Sequence, residues 1–316
     1  MSAYRGILVP LPTPLRSGAL DFEALDQLLL FHSRRASAGV IVGDVTGEGP
    51  TLSREERAAL AARTVETTRR LGGGAARKRA TRAKAASGKL AVIVAVGTSD
   101  TRSSCELARD AVFAGADALH VVTPPYVRPT RLGLLHHFRA IAEAASDTPL
   151  IVANDPERTG YDLEPEAARE LARLVPSIRA LLEVTKSPGR IRRVTEIVKV
   201  PVLAGDDRTL APFAAAGASG AVSVVANLVP DEVDRLVDAA RAASDMALIG
   251  RYEEGLAPLI DALSVETNPG PLKAALQELG VLTGELRSPL AELEPSNRAN
   301  LRRVLTLARL LVPNGP

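Results

Sequence analysis

The stretch ALLEVTKSPG at residues 180–189 sets a lysine, Lys186, where an apolar run gives way to a turn. A lysine partly stripped of water loses its charge and becomes a nucleophile toward a carbonyl, so Lys186 is a candidate imine-forming amine. Lysine chemistry is easy to localise here. Lys and Arg together number 39, yet the chain has six lysines, at 78, 84, 89, 186, 199 and 273. Leu182, Val184 and Lys186 share one parity, and a strand running through all three aims them the same way. At ~3.3 Å per residue, Lys186 then lies ~13 Å beyond Leu182, and the SPG that follows argues that the strand stops short. At a wet strand end the amine keeps a pKa of ~10.4 and stays protonated. Three readings stand open: a reactive amine, a carboxylate-binding cation, or a solvated loop residue.

Carboxylates offer a second chemistry. Asp44 and Asp155 both follow apolar runs, GVIVGD and PLIVAN, and so fall at strand ends. They read as solvated or capping residues, or as a proton-transfer pair or metal site. Asp206 and Asp207 read as helix-entry residues near a positive helix end. Four histidines and the single Cys105 show no metal-ligand spacing, so no metal and no cofactor is expected. Cys105 lies in an amphipathic stretch without an activating neighbour and reads as a small helix residue.

These residues need elements to hold them. Apolar runs at 6–11, 39–44, 91–97, 118–123, 149–154, 180–185, 200–205 and 220–225 are each about a strand long and nearly continuous, as parallel strands buried on both faces require. Helical patterns fill the gaps: 22–36, 54–71, 101–114, 131–146, 164–175, 189–198, 207–216 and 230–243. Ser53 before REER and Asp100 before TRSS are capping signals. Eight strand–helix units in succession predict a (β/α)8 TIM barrel over 1–243, with its site where strands run into βα loops. A doubly wound sheet is the alternative, but the first βα turn, PLPTPLRSG, lacks a glycine-rich phosphate cradle. Residues 244–316, with helical patterns at 249–265, 271–280 and 294–312, predict a small C-terminal helical domain.

Hydrophobic residues make up 46% of the 316, ample for a large core, and the net charge of +2 names no acidic partner. One cysteine allows no internal disulfide and fits a reducing compartment. No apolar run reaches ~18 residues and no leader pattern opens the chain, so a cytoplasmic protein without a membrane partner is expected. Residues 72–89, GGGAARKRATRAKAASGK, carry six basic residues without interleaved aromatics. They read as a flexible solvated insertion rather than a nucleic-acid patch.

Four segments carry a family resemblance. DVTGEGPTLSREER (44–57) resembles a GTTGE loop, TPPYVRPTRLGLLHHF (123–138) a TPYYNKPTQEGLYAHF segment, ANDPERTG (153–160) YNVPGRTG, and NPGPLKAALQELG (268–280) NPIPVKAALQLLG. Together they resemble the dihydrodipicolinate synthase / N-acetylneuraminate lyase family of class I aldolases over almost the whole chain. The resemblance implies a (β/α)8 barrel with a C-terminal helical domain, a homotetramer or dimer, and an imine between a lysine and pyruvate or a related keto acid. It also implies a tyrosine that shuttles protons, and a GTTGE loop that binds the substrate carboxylate. On matching positions it marks Thr46, Gly47, Tyr126, Arg158, Gly205 and Val222 as substrate-binding.

The same matching marks three departures. Leu182 stands in the place of the family's lysine, Ala153 in that of its tyrosine, and Val45 in that of the loop's first threonine. Leucine forms no imine and alanine moves no proton. The expectation is a repurposed lyase-type enzyme that binds a small keto acid or related carboxylate. Lys186, Asp44 and Asp155 are its candidate catalytic residues. The alternatives are a non-catalytic carboxylate-binding protein and an aldolase using Lys186.

Overall fold

The computed structural model describes residue 4 and residues 6–72, 90–242 and 245–311. The basic segment lies outside them, apart from Gly72, which ends a helix. The apolar runs become eight parallel strands: β1 Gly6–Pro10, β2 Ser37–Val42, β3 Ala91–Ala95, β4 Ala118–Val122, β5 Leu150–Asn154, β6 Ile178–Glu183, β7 Val202–Ala204 and β8 Gly220–Val222. Each pairs with the next, and β8 pairs with β1, so the barrel closes. This settles the choice against an open doubly wound sheet.

Alternation along each strand makes two apolar layers. Leu8, Ile41, Ile93, Ile151, Leu182 and Leu203 fill the barrel interior. The opposite faces pack on the surrounding helices α1 Phe22–Ser33, α2 Arg54–Gly72, α3 Thr101–Ala114, α4 Arg131–Ala144, α5 Pro165–Leu174, α6 Pro188–Ile197, α7 Leu210–Ala215 and α8 Pro230–Arg241. Local chemistry fixes where these helices begin. The Asp100 side chain accepts from the N–H groups of Arg102 and Ser103. Ser53 and Glu56 exchange backbone bonds at 3.2 and 2.8 Å, a reciprocal cap at the start of α2.

Some boundaries differ from expectation. The strand expected over 180–185 spans Ile178–Glu183, so Lys186 lies in the loop and shares no strand parity with Leu182. The helix expected over 207–216 opens as a 3-10 turn, Asp207–Thr209, before Leu210. The first βα segment folds a small antiparallel hairpin, Leu15–Arg16 with Ala19–Leu20.

Three helices follow the barrel: α9 Met246–Leu263, α10 Gly270–Glu278 and α11 Pro295–Leu307. Their connections return to the barrel's loops. Asn268 donates to Thr46 Oγ1 at 2.8 Å, and Thr283 Oγ1 donates to the Leu15 carbonyl at 2.6 Å. Arg287 donates its backbone N–H to Glu48 and its guanidinium to Glu56, Thr51 O and Gly18 O. Among the described residues no helix is long and apolar enough to cross a membrane.

Candidate active site at the barrel mouth

The strand order brings the ends of β2, β5, β6 and β7 round one mouth. Asp44 follows β2, where the chain turns back on itself. The Gly47 N–H donates to Asp44 Oδ1 at 3.0 Å, and the Gly47 carbonyl accepts from Thr13 Oγ1 at 2.6 Å. A side chain at Gly47 would put its Cβ 2.9 Å from Gly43 N and 3.1 Å from Leu11 O, so the turn needs glycine there. Burial pushes the Asp44 carboxyl up to about 7, against the Gly47 N–H and the Arg158 charge, which lower it.

Just past β5, Asp155 caps a single helical turn, Pro156–Thr159, that carries Arg158. Burial raises the Asp155 carboxyl, and Arg158 pulls it back down. Arg158 Nε stands 3.8 Å from Asp155 Oδ2. Arg158 thus faces both carboxylates, and its side chain is 41% exposed, free to meet a ligand anion. Arg57, on the first turn of α2, reaches the same region. Its Nη2 donates to the Ala95 carbonyl at 2.7 Å, while its buried Nε has no partner among the described residues. Burial lowers the Arg57 guanidinium to about 10, and the Asp44 charge opposes that shift. Sequence reasoning missed Arg57 because REER reads as a helix start.

The other predicted positions divide between ligand access and architecture. Thr46 is buried and held by Asn268. Glu48, next in the loop, is fully buried and ion-paired with Lys273, whose Nζ also donates to the Glu285 carbonyl at 2.7 Å. The second half of the loop therefore anchors the C-terminal helices. Tyr126 is 93% exposed, at a positive φ of 73°, with its N–H bonded to the Thr159 carbonyl at 3.0 Å. That bond ties the β4 and β5 loops together. Val222 lies in the barrel interior. Gly205 follows β7, and a Cβ there would meet Val184 Cγ2 at 2.7 Å and Leu182 Cδ1 at 2.9 Å. Asp206 caps the turn after β7, as expected. Asp207 does more than enter a helix: its Oδ2 accepts the Val225 N–H at 2.9 Å, joining the β7 and β8 loops. Burial pushes the Asp207 carboxyl up to about 6.

Leu182 and Ala153 are in register on neighbouring strands, both inward-facing and both buried. Lys186 stands apart from them. Its side chain is 66% exposed and pairs with Glu157 at 2.8 Å. That hydrogen bond raises its pKa, which favours the ammonium. Lys199 lines an outer-surface groove with Arg131, Arg169 and Arg173. Lysines 78, 84 and 89 lie outside the described residues. Among the described residues no His, Cys, Asp and Glu group could hold a metal.

Known proteins match along nearly the whole chain. The model of the dihydrodipicolinate synthetase family matches residues 3–70 and 79–308. The 4-hydroxy-tetrahydrodipicolinate synthase of Oleidesulfovibrio alaskensis is 34% identical over 98% of this chain and 99% of that protein. The solved dihydrodipicolinate synthase of Aquifex aeolicus superposes with a TM-score of 0.88 at 34% identity, over 98% of this chain and all of that one. A chloride-inhibited dihydrodipicolinate synthase of Acinetobacter baumannii, solved with pyruvate, gives a TM-score of 0.86 at 32% identity, over 97% and 99% of the two chains.

Proposed function

Because the chain belongs to the dihydrodipicolinate synthetase family, we propose that it is a repurposed lyase-type enzyme that binds a small keto acid or related carboxylate at the barrel mouth and forms no imine inside the barrel. The observation that carries this reading is the Leu182–Ala153 pair, two hydrocarbon side chains in register on the inward face. Neither can supply an amine or a proton. No lysine among the described residues enters the interior: Lys186 is an exposed ion pair, Lys199 lies on an outer surface and Lys273 is locked to Glu48.

The mouth groups suit proton transfer. Arg158 receives the ligand's carboxylate, a charge-assisted contact that also orients the carbon beside it. Asp44, with its carboxyl at about 7, is poised to give or take a proton near neutral pH. Asp155, raised in the same direction, is its partner across Arg158. These perturbed carboxylates around one guanidinium favour turnover over passive binding. Lys186, neutralised by Glu157 at the rim, takes no part in the proton transfer.

The test is calorimetry with pyruvate and other short acids. Wild type binds an acid, and Arg158→Gln weakens it by about tenfold or more, as loss of a charge-assisted hydrogen bond requires. Equal binding by both proteins removes the mouth as the site.

A further inference from the structure

His120 breaks the apolar character of the barrel interior. It sits in β4, ALHVV, where alternation puts Ala118, His120 and Val122 on one face. Ala118 and Val122 pack in the interior cluster, so His120 projects into the barrel too. Its Cα is in register with Ala95 on β3 and Ile151 on β5. Val122, one inward step nearer the mouth, is in register with Ala153, and Ala153 with Leu182. His120 therefore lies one layer beneath the Leu182–Ala153 pair.

The imidazole is 9% exposed, and no hydrogen bond joins it to another described residue. The two other buried histidines each have a ring nitrogen bonded to a hydroxyl: His32 with Ser37 at 2.8 Å and His137 with Thr101 at 2.9 Å. A polar ring this deep without a protein partner calls for a reason, and its nitrogens, unlike His137 Nε2, are not sealed from solvent. Short side chains lie on the mouth side of it: Ala95 is its register neighbour on β3, Ala153 stands one inward step nearer the mouth on β5, and Val122 above it is partly exposed. Burial lowers the ring's pKa to about 4, so near neutral pH it carries one N–H donor and one bare nitrogen acceptor.

We propose that His120 is the deep polar contact of the site: its neutral imidazole hydrogen-bonds an oxo or hydroxyl oxygen of a short acid whose carboxylate stays at the mouth with Arg158. The donor nitrogen serves an oxo group, and the acceptor nitrogen a hydroxyl. The inference rests on the mouth being a carboxylate site. It adds that the ligand reaches down past the Leu182–Ala153 layer and carries a second oxygen.

Paired probes that differ in one oxygen test it: pyruvate with propionate, and levulinate with valerate. Calorimetry on wild type should show one oxygenated acid binding about tenfold tighter than its partner, the worth of one hydrogen bond. His120→Leu should erase that preference while the deoxy acid binds as before. His120→Gln, which keeps a donor and an acceptor, should retain part of it. A readout that needs no apolar replacement is the 15N signal of labelled histidine rings. One ring should shift with the oxygenated acid and not with its partner, and that signal should be missing in His120→Gln. If wild type shows no preference in either pair, or His120→Leu keeps it, the inference falls and the mouth site stands. If wild type binds none of the four acids, the mouth site falls with it.

Discussion

Asp44 and the Glu48–Lys273 pair, four residues apart in one loop, carry different kinds of stability. The Asp44 carboxyl rises from 3.8 to about 7 on folding, so between those values the folded chain holds more protons than the unfolded one. Stability therefore falls as pH rises through that window, and the penalty is complete above it. Asp44→Asn keeps an acceptor for the Gly47 N–H and removes the penalty. Its stability relative to wild type, read from thermal unfolding, should climb between about pH 4 and pH 7, by up to about 1.4 kcal/mol per pH unit. A difference that stays flat with pH would contradict a buried, titrating Asp44. Lys273 is the opposite case, since removing it strands a buried carboxylate. Lys273→Met should cost about 3–5 kcal/mol, read as a large fall in melting temperature, and adding Glu48→Gln should recover part of the loss. Glu48 and Lys273 fall in two separate family-like segments, DVTGEGPTLSREER and NPGPLKAALQELG. Their pairing is a tertiary fact across more than two hundred residues of chain, and no local pattern encodes it.

At the scale of elements, β6 and β7 meet through Gly205. A methyl there runs into Leu182 Cδ1 and Val184 Cγ2. Gly205→Ala should destabilise by about 1–3 kcal/mol as overpacking, and Leu182→Ala in the same chain should relieve part of it. Purely additive losses in chemical denaturation would mean that the two sites do not touch. The eight strands and their helices were legible because parallel strands are continuous apolar runs with caps and turns between them. The same continuity hid which parity faces inward. When both faces of a strand are apolar, period two carries no contrast. That is why His120 in ALHVVT passed as one more core residue, while Leu182 and Ala153 were placed by resemblance. SPG signalled an early stop, and β6 ends at Glu183, short of the expected 185.

Across the whole molecule, the C-terminal helices close over the loops of β1 and β2. Arg287 alone contacts Glu48, Glu56, Thr51 and Gly18. Arg287→Ala should raise amide exchange in residues 44–57 and 268–290 together, and exchange unchanged in either segment would show that they are not coupled. Phe113, Tyr126 and Leu132 are 95%, 93% and 62% exposed, a large apolar presence for a free surface. We propose that they are covered in a homo-oligomer, tetramer or dimer. Light scattering should therefore return a multiple of 33.2 kDa, and a monomer at every concentration would refute it.

The central claim is that this barrel binds a small acid without an imine. Borohydride trapping tests it most directly: incubate the protein with pyruvate and other short 2-oxo acids, reduce, and read the intact mass, with Lys186→Ala alongside. The mass should remain that of the unmodified chain. A stoichiometric adduct on wild type would contradict the claim, and its loss in Lys186→Ala would place the reactive amine on the rim.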